Sequence, residues 1–243
     1  MSPKPVALRS TPLGDRAVRF VLGDRIDADV TARVLALATR VRNCGLAGIV
    51  DVVPAYTAVV VHFDPRAWLR RELAPGVAFA SALDAQLATA PTEPESTPHD
   101  ARERVIPVAY GGEHGPDLAH VAAHCGLTPS EVVARHHAAT YTVAFLGFAP
   151  GFPYLLGLDA GLATPRRATP RTRVAAGAVG IAGAQTGIYP SATPGGWQII
   201  GCTPRGLFDV TREPATWLQA GDRVRFTPIE APRFHDVEVA WDA

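Results

Sequence analysis

Lysine is almost missing from this chain of 243 residues, because it occurs only once, as Lys4. A P-loop requires a lysine directly after its glycines, and Schiff-base catalysis requires a buried lysine, so the sequence excludes both. The other permanently charged basic residues are all arginines. Any nucleotide must therefore be held by arginine, by backbone N–H groups or by another protein chain.

Cysteines, long apolar runs and excess charge are also scarce. The three cysteines, Cys44, Cys125 and Cys202, are widely spaced and odd in number. That usage favours the cytoplasm over an oxidising compartment. No apolar run approaches the ~18 residues of a spanning helix, and residues 1–16 lack the apolar core of a signal peptide. The formal net charge is zero, so nothing indicates nucleic acid or a membrane surface as a partner.

Recognisable nucleophile and metal motifs are scarce as well. No G-x-S-x-G pattern is present, which argues against a serine hydrolase. His120 and His124 lie four residues apart on a predicted helix, but no Glu lies between them and no second pair follows at finger spacing. Cys202 lies in an apolar strand, which is typical of a small core residue rather than a nucleophile. We therefore predict no metal site.

The length and the 47% hydrophobic content suit two small domains of α+β class. Residues 1–88 predict an α/β sandwich with the element order β-α-β-β-α, a split-βαβ (ferredoxin-like) arrangement. Residues 89–103 contain three prolines, several acids and no large apolar residue, which predicts a linker. The predicted elements of the first domain are strands 17–22, 49–53 and 56–63, a helix capped by Asp27 or Asp29 that runs to about Arg42, and a helix over 77–88.

Residues 104–243 predict two short helices followed by many short strands. Asp117 is predicted to cap a helix over 118–125, and Thr128 and Glu131 form a capping box that starts a second helix ending near His137. Closely spaced short strands indicate a barrel or sandwich. The predicted strands are 105–110, 141–147, 179–182, 186–189, 197–201, 207–210, 223–228 and 236–241.

The segment from Tyr141 to Pro204 is rich in glycine and proline, yet aromatic and branched apolar residues are threaded through it. Linkers lose such residues, so this pattern predicts a rigid, loop-rich binding surface. Four arginines, at positions 166, 167, 171 and 173, face a single acid in this segment, Asp159. Arg166 and Arg167 lie between two prolines, and guanidinium groups bind carboxylate or phosphate through two hydrogen bonds. We therefore predict an anion site at this pair.

The same segment resembles a known family. The sequences GFAPGFPYLLGLD, PRRATPR and GAVGIAGAQTGIYPSATPGGWQIIGCTP are similar to the KipI / allophanate hydrolase subunit 1 family, which corresponds to subdomains C and D of carboxyltransferase domains. The resemblance extends to TPLGDRAVRF near the start and to GDRVRFTPI near the end. Two positions depart from the family pattern. Cys202 replaces an arginine, and His137 replaces a small hydroxyl residue.

The resemblance implies a cyclophilin-like barrel for residues 104–243, without implying prolyl isomerase activity. It implies a cytoplasmic enzyme component that opens 5-oxoproline to glutamate with ATP and magnesium, both bound jointly with a C-type partner of the allophanate hydrolase subunit 2 kind. Two alternatives are open: a urea carboxylase or allophanate hydrolase partner, and a KipI-type inhibitor of a histidine kinase without catalysis.

His136 is the candidate catalytic residue, because a histidine stands at this position of the family and a ring with a pKa near neutrality can carry protons. The alternative is a charged histidine that stabilises the end of its helix. A small amide or carboxylate substrate is the expected ligand. The candidate substrate-binding residues are Arg166, Arg167, Gln185, Thr186, Tyr189, Gly195 and Gly196.

We expect the purified chain to hold no tightly bound zinc, in spite of the spacing of His120 and His124. Two imidazoles on one helix supply only half of the four ligands that a structural zinc site requires. Elemental analysis after dialysis checks this expectation, and about one equivalent of zinc per chain would contradict it.

Overall fold

The computed structural model describes residues 9–69, 73–89, 102–234 and 236. The chain divides into two units, Met1–Asp100 and Ala101–Ala243. This division falls within the segment predicted as a linker, residues 89–103, most of which lies outside the described residues. Each unit contains its own buried apolar cluster.

The first unit is a four-stranded sheet with two helices. Its elements are β1 (Arg9–Leu13), β2 (Ala17–Val21), α1 (Ala28–Asn43), β3 (Ile49–Pro54), β4 (Ala58–Phe63) and α2 (Pro75–Thr89). The strands lie in the order β1-β2-β4-β3 and every neighbouring pair is antiparallel. Helix α1 packs on β3 and β4, while α2 packs on β1 and β2.

The split-βαβ arrangement predicted for this unit is not confirmed as a whole. β2 and β3 are both antiparallel to β4, which lies between them, so they run parallel to each other and are joined by α1. β1 was not predicted; it pairs with β2 and forms one edge of the sheet. Its sequence, RSTPL, contains a proline and no apolar alternation, so it carries little strand signal.

Local signals determine where α1 begins. The Asp27 side chain accepts hydrogen bonds from the backbone N–H groups of Asp29 and Val30, at 2.8 and 3.2 Å. These bonds satisfy two donors that the first turn of a helix leaves without partners. The predicted cap is therefore confirmed for Asp27 rather than for Asp29, which lies in the first turn as a favourable acid.

The second unit is built around a closed barrel of seven strands. The strands of the unit are β5 (Glu103–Tyr110), β6 (Thr140–Leu146), β7 (Pro153–Leu156), β8 (Arg171–Val174), β9 (Ala178–Ala182), β10 (Gln185–Ile188), β11 (Thr193–Gly195), β12 (Gln198–Cys202) and β13 (Arg223–Ile229). The barrel order is β10-β7-β6-β13-β5-β12-β9. β13 pairs with β5 in parallel, and the other neighbouring pairs are antiparallel. A separate two-stranded sheet, β8 with β11, accompanies it.

The barrel confirms the predicted class of the second unit, but the strand list needs corrections. β7, β8 and β11 were not predicted, because prolines and glycines interrupt or flank them. The predicted strand over 207–210 is wrong, since only an isolated bridge joins Phe208 to Thr216 there. The predicted strand over 236–241 lies almost entirely outside the described residues.

Two helices lie between β5 and β6. α3 (Leu118–Cys125) begins where predicted, but Asp117 makes no side-chain capping hydrogen bond. α4 (Pro129–Ala138) begins with the predicted capping box, in which the hydroxyl of Thr128 accepts from the Glu131 N–H and the Thr128 N–H donates to the Glu131 carboxylate. Within the described residues, no helix has the length and apolar character that crossing a bilayer requires.

His136 lies in the barrel core and is fully buried. Its Nδ1 lies 2.8 Å from the hydroxyl of Tyr110, and its Nε2 lies 3.1 Å from the hydroxyl of Thr186. The ring stacks on Phe226 with centroids 4.7 Å apart. Burial, with a smaller contribution from His137, lowers the pKa of His136 from 6.5 to about 3. The ring is therefore neutral at neutral pH, which contradicts the interpretation as a charged residue at a helix end.

This burial predicts a component of acid sensitivity. Between about pH 6.5 and pH 3 the unfolded chain binds a proton at His136 that the folded chain does not, so the free energy of unfolding falls as the pH falls. We expect His136→Gln to remove this component. The stability difference between wild type and variant should then shrink by about 2 kcal/mol between pH 7 and pH 5.

Urea unfolding of both proteins at the two pH values measures this difference. His120→Gln, which changes an exposed histidine on α3, is the matched control and should keep the wild-type pH dependence. Parallel pH dependences for wild type and His136→Gln would show that the folded chain protonates this ring.

Candidate functional site

An aromatic cluster covers the outer face of four barrel strands. Strand residues alternate between faces, so Val179, Ile181 and Ile188 fill the barrel interior while their sequence neighbours point outward. The outward cluster contains Phe152, Tyr189 and Trp197, with Tyr154 packed against it. We call these four residues the aromatic wall. Phe152 is central to it, with ring centroids 5.0 to 5.4 Å from the other three.

Two glycines allow the aromatic wall to lie against the sheet. Gly180 and Gly187 are cross-strand partners in β9 and β10. A Cβ atom at Gly187 would lie 3.0 Å from Cε1 of Phe152, and one at Gly180 would lie 3.1 Å from Cβ of Trp197. Side chains at these positions would displace the rings, so the glycine-rich sequence here serves close packing of aromatics rather than flexibility.

Asp117 holds two of the arginines beside this wall. Its Oδ1 accepts hydrogen bonds from Nη1 of Arg167 at 3.0 Å and from Nη2 of Arg171 at 2.8 Å. Its Oδ2 accepts from the backbone N–H of Ile199 at 2.7 Å. The carboxylate is buried, with 5% of its side chain exposed. Burial alone would raise the pKa of Asp117, but the hydrogen bonds from Arg171 and Ile199 and the charges of both arginines lower it below its ordinary value.

This ion cluster corrects the charge count made from the sequence. Asp117 lies outside the segment from Tyr141 to Pro204, yet its carboxylate pairs with two of the four arginines there. Arg166 and Arg173 are exposed, and neither has a carboxylate partner among the described residues. The excess positive charge of this surface therefore rests on Arg166 and Arg173.

Arg166 is the exposed arginine whose charge acts on the aromatic wall. Burial raises the pKa of Tyr154 and of Tyr189, and the positive charge of Arg166 acts against that rise at both phenols. The backbone N–H of Trp197 also acts against the rise in the pKa of Tyr189. Arg166, Tyr154 and Tyr189 thus offer one guanidinium and two phenol groups beside flat apolar rings, which suits a small planar anion.

The structure separates the predicted site residues into two groups on opposite faces of the sheet. On the outer face, the Arg167 N–H donates to the Gly196 carbonyl at 2.8 Å, and Gly195 lies so close to Tyr189 that a Cβ atom would meet its hydroxyl. Gln185 shares the outward strand face of Gly187 and Tyr189 by alternation. One surface therefore contains six of the predicted residues: Arg166, Arg167, Gln185, Tyr189, Gly195 and Gly196.

Thr186 and His136 form the other group, inside the barrel. Thr186 is fully buried and its hydroxyl donates to the Gly180 carbonyl at 2.9 Å while lying beside His136. Both ring nitrogens of His136 already have hydroxyl partners. The geometry gives these two residues a structural role behind the aromatic wall, and the catalytic assignment of His136 stays a prediction.

The other residues weighed from the sequence lie away from this surface or are unsuited to ionic chemistry. His120 and His124 are exposed on α3, and no group of three or more His, Cys, Asp or Glu that could hold a metal ion occurs in the described parts of the chain. Burial raises the pKa of the Cys202 thiol to about 11, so it is protonated at neutral pH. Sequence reasoning missed the role of Asp117, whose partners lie 50 and 54 residues away.

Comparison with known proteins agrees with the motifs. A model of the carboxyltransferase domain, subdomain C and D, matches residues 8–218. The chain is 40% identical over 230 residues to the B-type component of 5-oxoprolinase from Bacillus subtilis, covering 92% of this chain and 93% of that protein.

The fold of this chain is also similar to those of solved structures. The protein TTHA0988 is 38% identical with a TM-score of 0.74, and the match covers 89% of this chain but only 40% of that one. Urea carboxylase of Kluyveromyces lactis has a TM-score of 0.69 at 20% identity over 94% of this chain and 22% of its own, which shows a shared fold. The chain therefore belongs to the family of carboxyltransferase-domain subdomains C and D, as the sequence motifs predicted.

Proposed function

We propose that this chain is the B-type component of a cytoplasmic, ATP-dependent 5-oxoprolinase, which hydrolyses the ring amide of 5-oxoproline to give glutamate together with a C-type partner. The observation that carries the proposal is the similarity, over nearly the whole length of both chains, to the B-type 5-oxoprolinase component of Bacillus subtilis. A fold shared with urea carboxylase carries no comparable weight, because one fold serves many reactions.

The outer surface of the barrel supports this substrate class. 5-Oxoproline is a small, nearly flat ring that bears one carboxylate and one amide. Arg166 supplies an exposed guanidinium for the carboxylate, and Tyr154 and Tyr189 supply ring faces and hydroxyl groups beside it. Gln185 lies on the same strand face and has the donor and acceptor pair that an amide requires. These residues would bind and orient the substrate.

The residues of this surface do not fit magnesium and ATP by themselves. The carboxylate that contacts the arginines, Asp117, has both oxygens occupied by three donors, so it has little capacity to hold Mg²⁺, which prefers carboxylate oxygens. Arg166 and Arg173 offer charge for phosphate groups, but no coordination for the metal. We therefore propose that the partner chain supplies the ligands of Mg²⁺ and most of the ATP site.

The proposal predicts a stable hetero-complex. Co-expression with the C-type chain of the same organism should give one species on size exclusion, with an interface on the order of 2,000 Å² or more. That complex should release glutamate from 5-oxoproline with ATP, and each chain alone should not. Separate elution of the two chains at micromolar concentration, or turnover of urea in place of 5-oxoproline, would contradict the proposal.

The two neighbouring arginines should behave differently when they are changed. Arg166→Ala should lower kcat/KM of the complex for 5-oxoproline about ten- to a hundredfold, because a charge-assisted hydrogen bond contributes roughly 1.5–3 kcal/mol. Arg166→Lys should recover little of this, since an ammonium group cannot form the paired bonds of a guanidinium. Arg167→Ala should instead destabilise the fold by roughly 1–2 kcal/mol, because the buried Asp117 keeps only Arg171 as a charged partner.

Steady-state kinetics and thermal unfolding of the same preparations separate these two effects. Arg25→Ala changes an arginine of the first unit whose side chain is 89% exposed, and it is the matched control for both measurements. Wild-type kinetics for both Arg166 variants, with the complex intact, would remove the carboxylate site from this surface.

A further inference from the structure

Three exposed apolar side chains lie on two loops of the barrel unit. Phe148 is 64% exposed, Phe208 36% and Val210 78%. We call these three residues the apolar loop patch. Across the described part of this unit, Val105 on β5 is the other large apolar side chain with comparable exposure, at 50%. Exposure of large apolar side chains to water is unfavourable. Their concentration on two loops therefore indicates an interaction surface.

The two loops touch and are held by their own hydrogen bonds. In residues 147–152, the Gly147 N–H donates to the Phe152 carbonyl at 3.1 Å, which closes the first loop. In residues 207–217, the Trp217 N–H donates to the Leu207 carbonyl at 3.0 Å, which closes the second. A Cβ atom at Gly151 would lie 3.0 Å from Cβ of Phe208, so the loops pack directly together. The patch is therefore presented by a preorganised backbone, and binding would cost little ordering entropy.

Phe148 has a backbone conformation that its own side chain disfavours. Its φ is 68°, and no other non-glycine residue in the described part of the chain has a positive φ. A glycine would adopt this conformation without the clash between Cβ and the backbone. Fold stability does not explain a phenylalanine here, because most of its ring is exposed to water. Strain of this kind is typical of positions where the side chain serves binding.

The patch is continuous with the candidate site. The Phe148 ring lies edge-on to Phe152 and to Tyr189, with centroids 5.4 and 6.2 Å apart. Tyr189 in turn lies within the electrostatic reach of Arg166, whose charge has no carboxylate partner among the described residues. A molecule that covers the apolar loop patch would therefore also reach the edge of the aromatic wall. Its complementary surface would be an apolar pocket.

We infer that the apolar loop patch docks the C-type chain, with Phe148 inserted in an apolar pocket of that chain. The inference rests on the proposed function. It names the C-type chain rather than a second copy, because TTHA0988 carries a region similar to this chain within a polypeptide more than twice as long. In TTHA0988 the peptide chain itself holds the region similar to this one next to the rest of the polypeptide. A separate chain needs a binding surface to hold its partner in place.

Docking at this position would place groups of the C-type chain over Arg166 and Tyr189. The interface between the two chains would then run along the rim of the substrate site, so that both contribute to it. A single aromatic residue at the centre of an interface commonly carries a large share of the binding energy.

Phe148→Gly is the decisive variant, since it removes the ring and relieves the backbone strain together. The variant should unfold at the wild-type temperature or higher, while its affinity for the purified C-type chain falls at least about 30-fold in a titration by calorimetry. Val210→Ser and Val105→Ser form a matched pair with the same change at two exposed valines. We expect a loss of about 3- to 10-fold for Val210→Ser and less than about twofold for Val105→Ser.

The outcomes distinguish this inference from the proposed function. Wild-type affinity of Phe148→Gly, in a complex that hydrolyses 5-oxoproline, would overturn the docking inference alone. A wild-type complex without 5-oxoproline turnover would overturn the proposed function alone, and a chain with no affinity for the C-type chain would overturn both. If Phe148→Gly instead abolishes self-association of this chain on size exclusion, the patch joins two copies and the inference is wrong.

Discussion

The carboxylate of Asp117 is the contact on which the arrangement of the outer barrel surface depends. It joins the start of α3, the loop between Pro165 and Pro170, strand β8 and strand β12 through two guanidinium groups and one backbone N–H. A buried carboxylate without partners would be strongly unfavourable, so each of these segments is needed to keep the others in position. The paired arginines hold the loop, and the loop then presents Arg166 to solvent.

The barrel wall separates two kinds of polar chemistry. On its inner side, the hydroxyls of Tyr110 and Thr186 occupy both nitrogens of a neutral His136, which gives a buried polar network with satisfied hydrogen bonds. On its outer side, charged and phenolic groups lie beside aromatic rings packed on Gly180 and Gly187. Residues that are neighbours in sequence, such as Gln185 and Thr186, therefore contribute to different environments only one sheet apart.

The sequence predicted those features that depend on local interactions. The capping box at Thr128 and the start of α4 follow from residues within one turn of each other, and the structure confirms them. α3 also has its predicted bounds, although the side chain of Asp117 does not cap it. The barrel class and most long apolar strands were also predicted, because alternation is a short-range signal. The strands β7, β8 and β11 were not predicted, because prolines and glycines within or beside them interrupt the alternating pattern. These strands form through pairing with partners that are distant in sequence.

The candidate site was only partly predictable for the same reason. Motif spacing identified the arginine pair, but it treated Arg166 and Arg167 as equivalent. Their roles differ because a carboxylate 50 residues before Arg167 takes one of them into an ion cluster. The positive φ of Phe148 could not be predicted either, because the conformation of its loop depends on backbone hydrogen bonds among Gly147, Ala149 and Phe152.

The parallel pair of β5 and β13 has a consequence for how the barrel is made during synthesis. It aligns Glu103 with Arg223 and lies beside the ion pair of Arg102 with Asp222, at 2.9 Å. The ring cannot close until β13 has left the ribosome, although β5 emerges long before. For that interval β5 has an unpaired edge that other nascent chains can join. The topology that gives the finished barrel no free edge thus leaves one of its strands unpaired until late in synthesis.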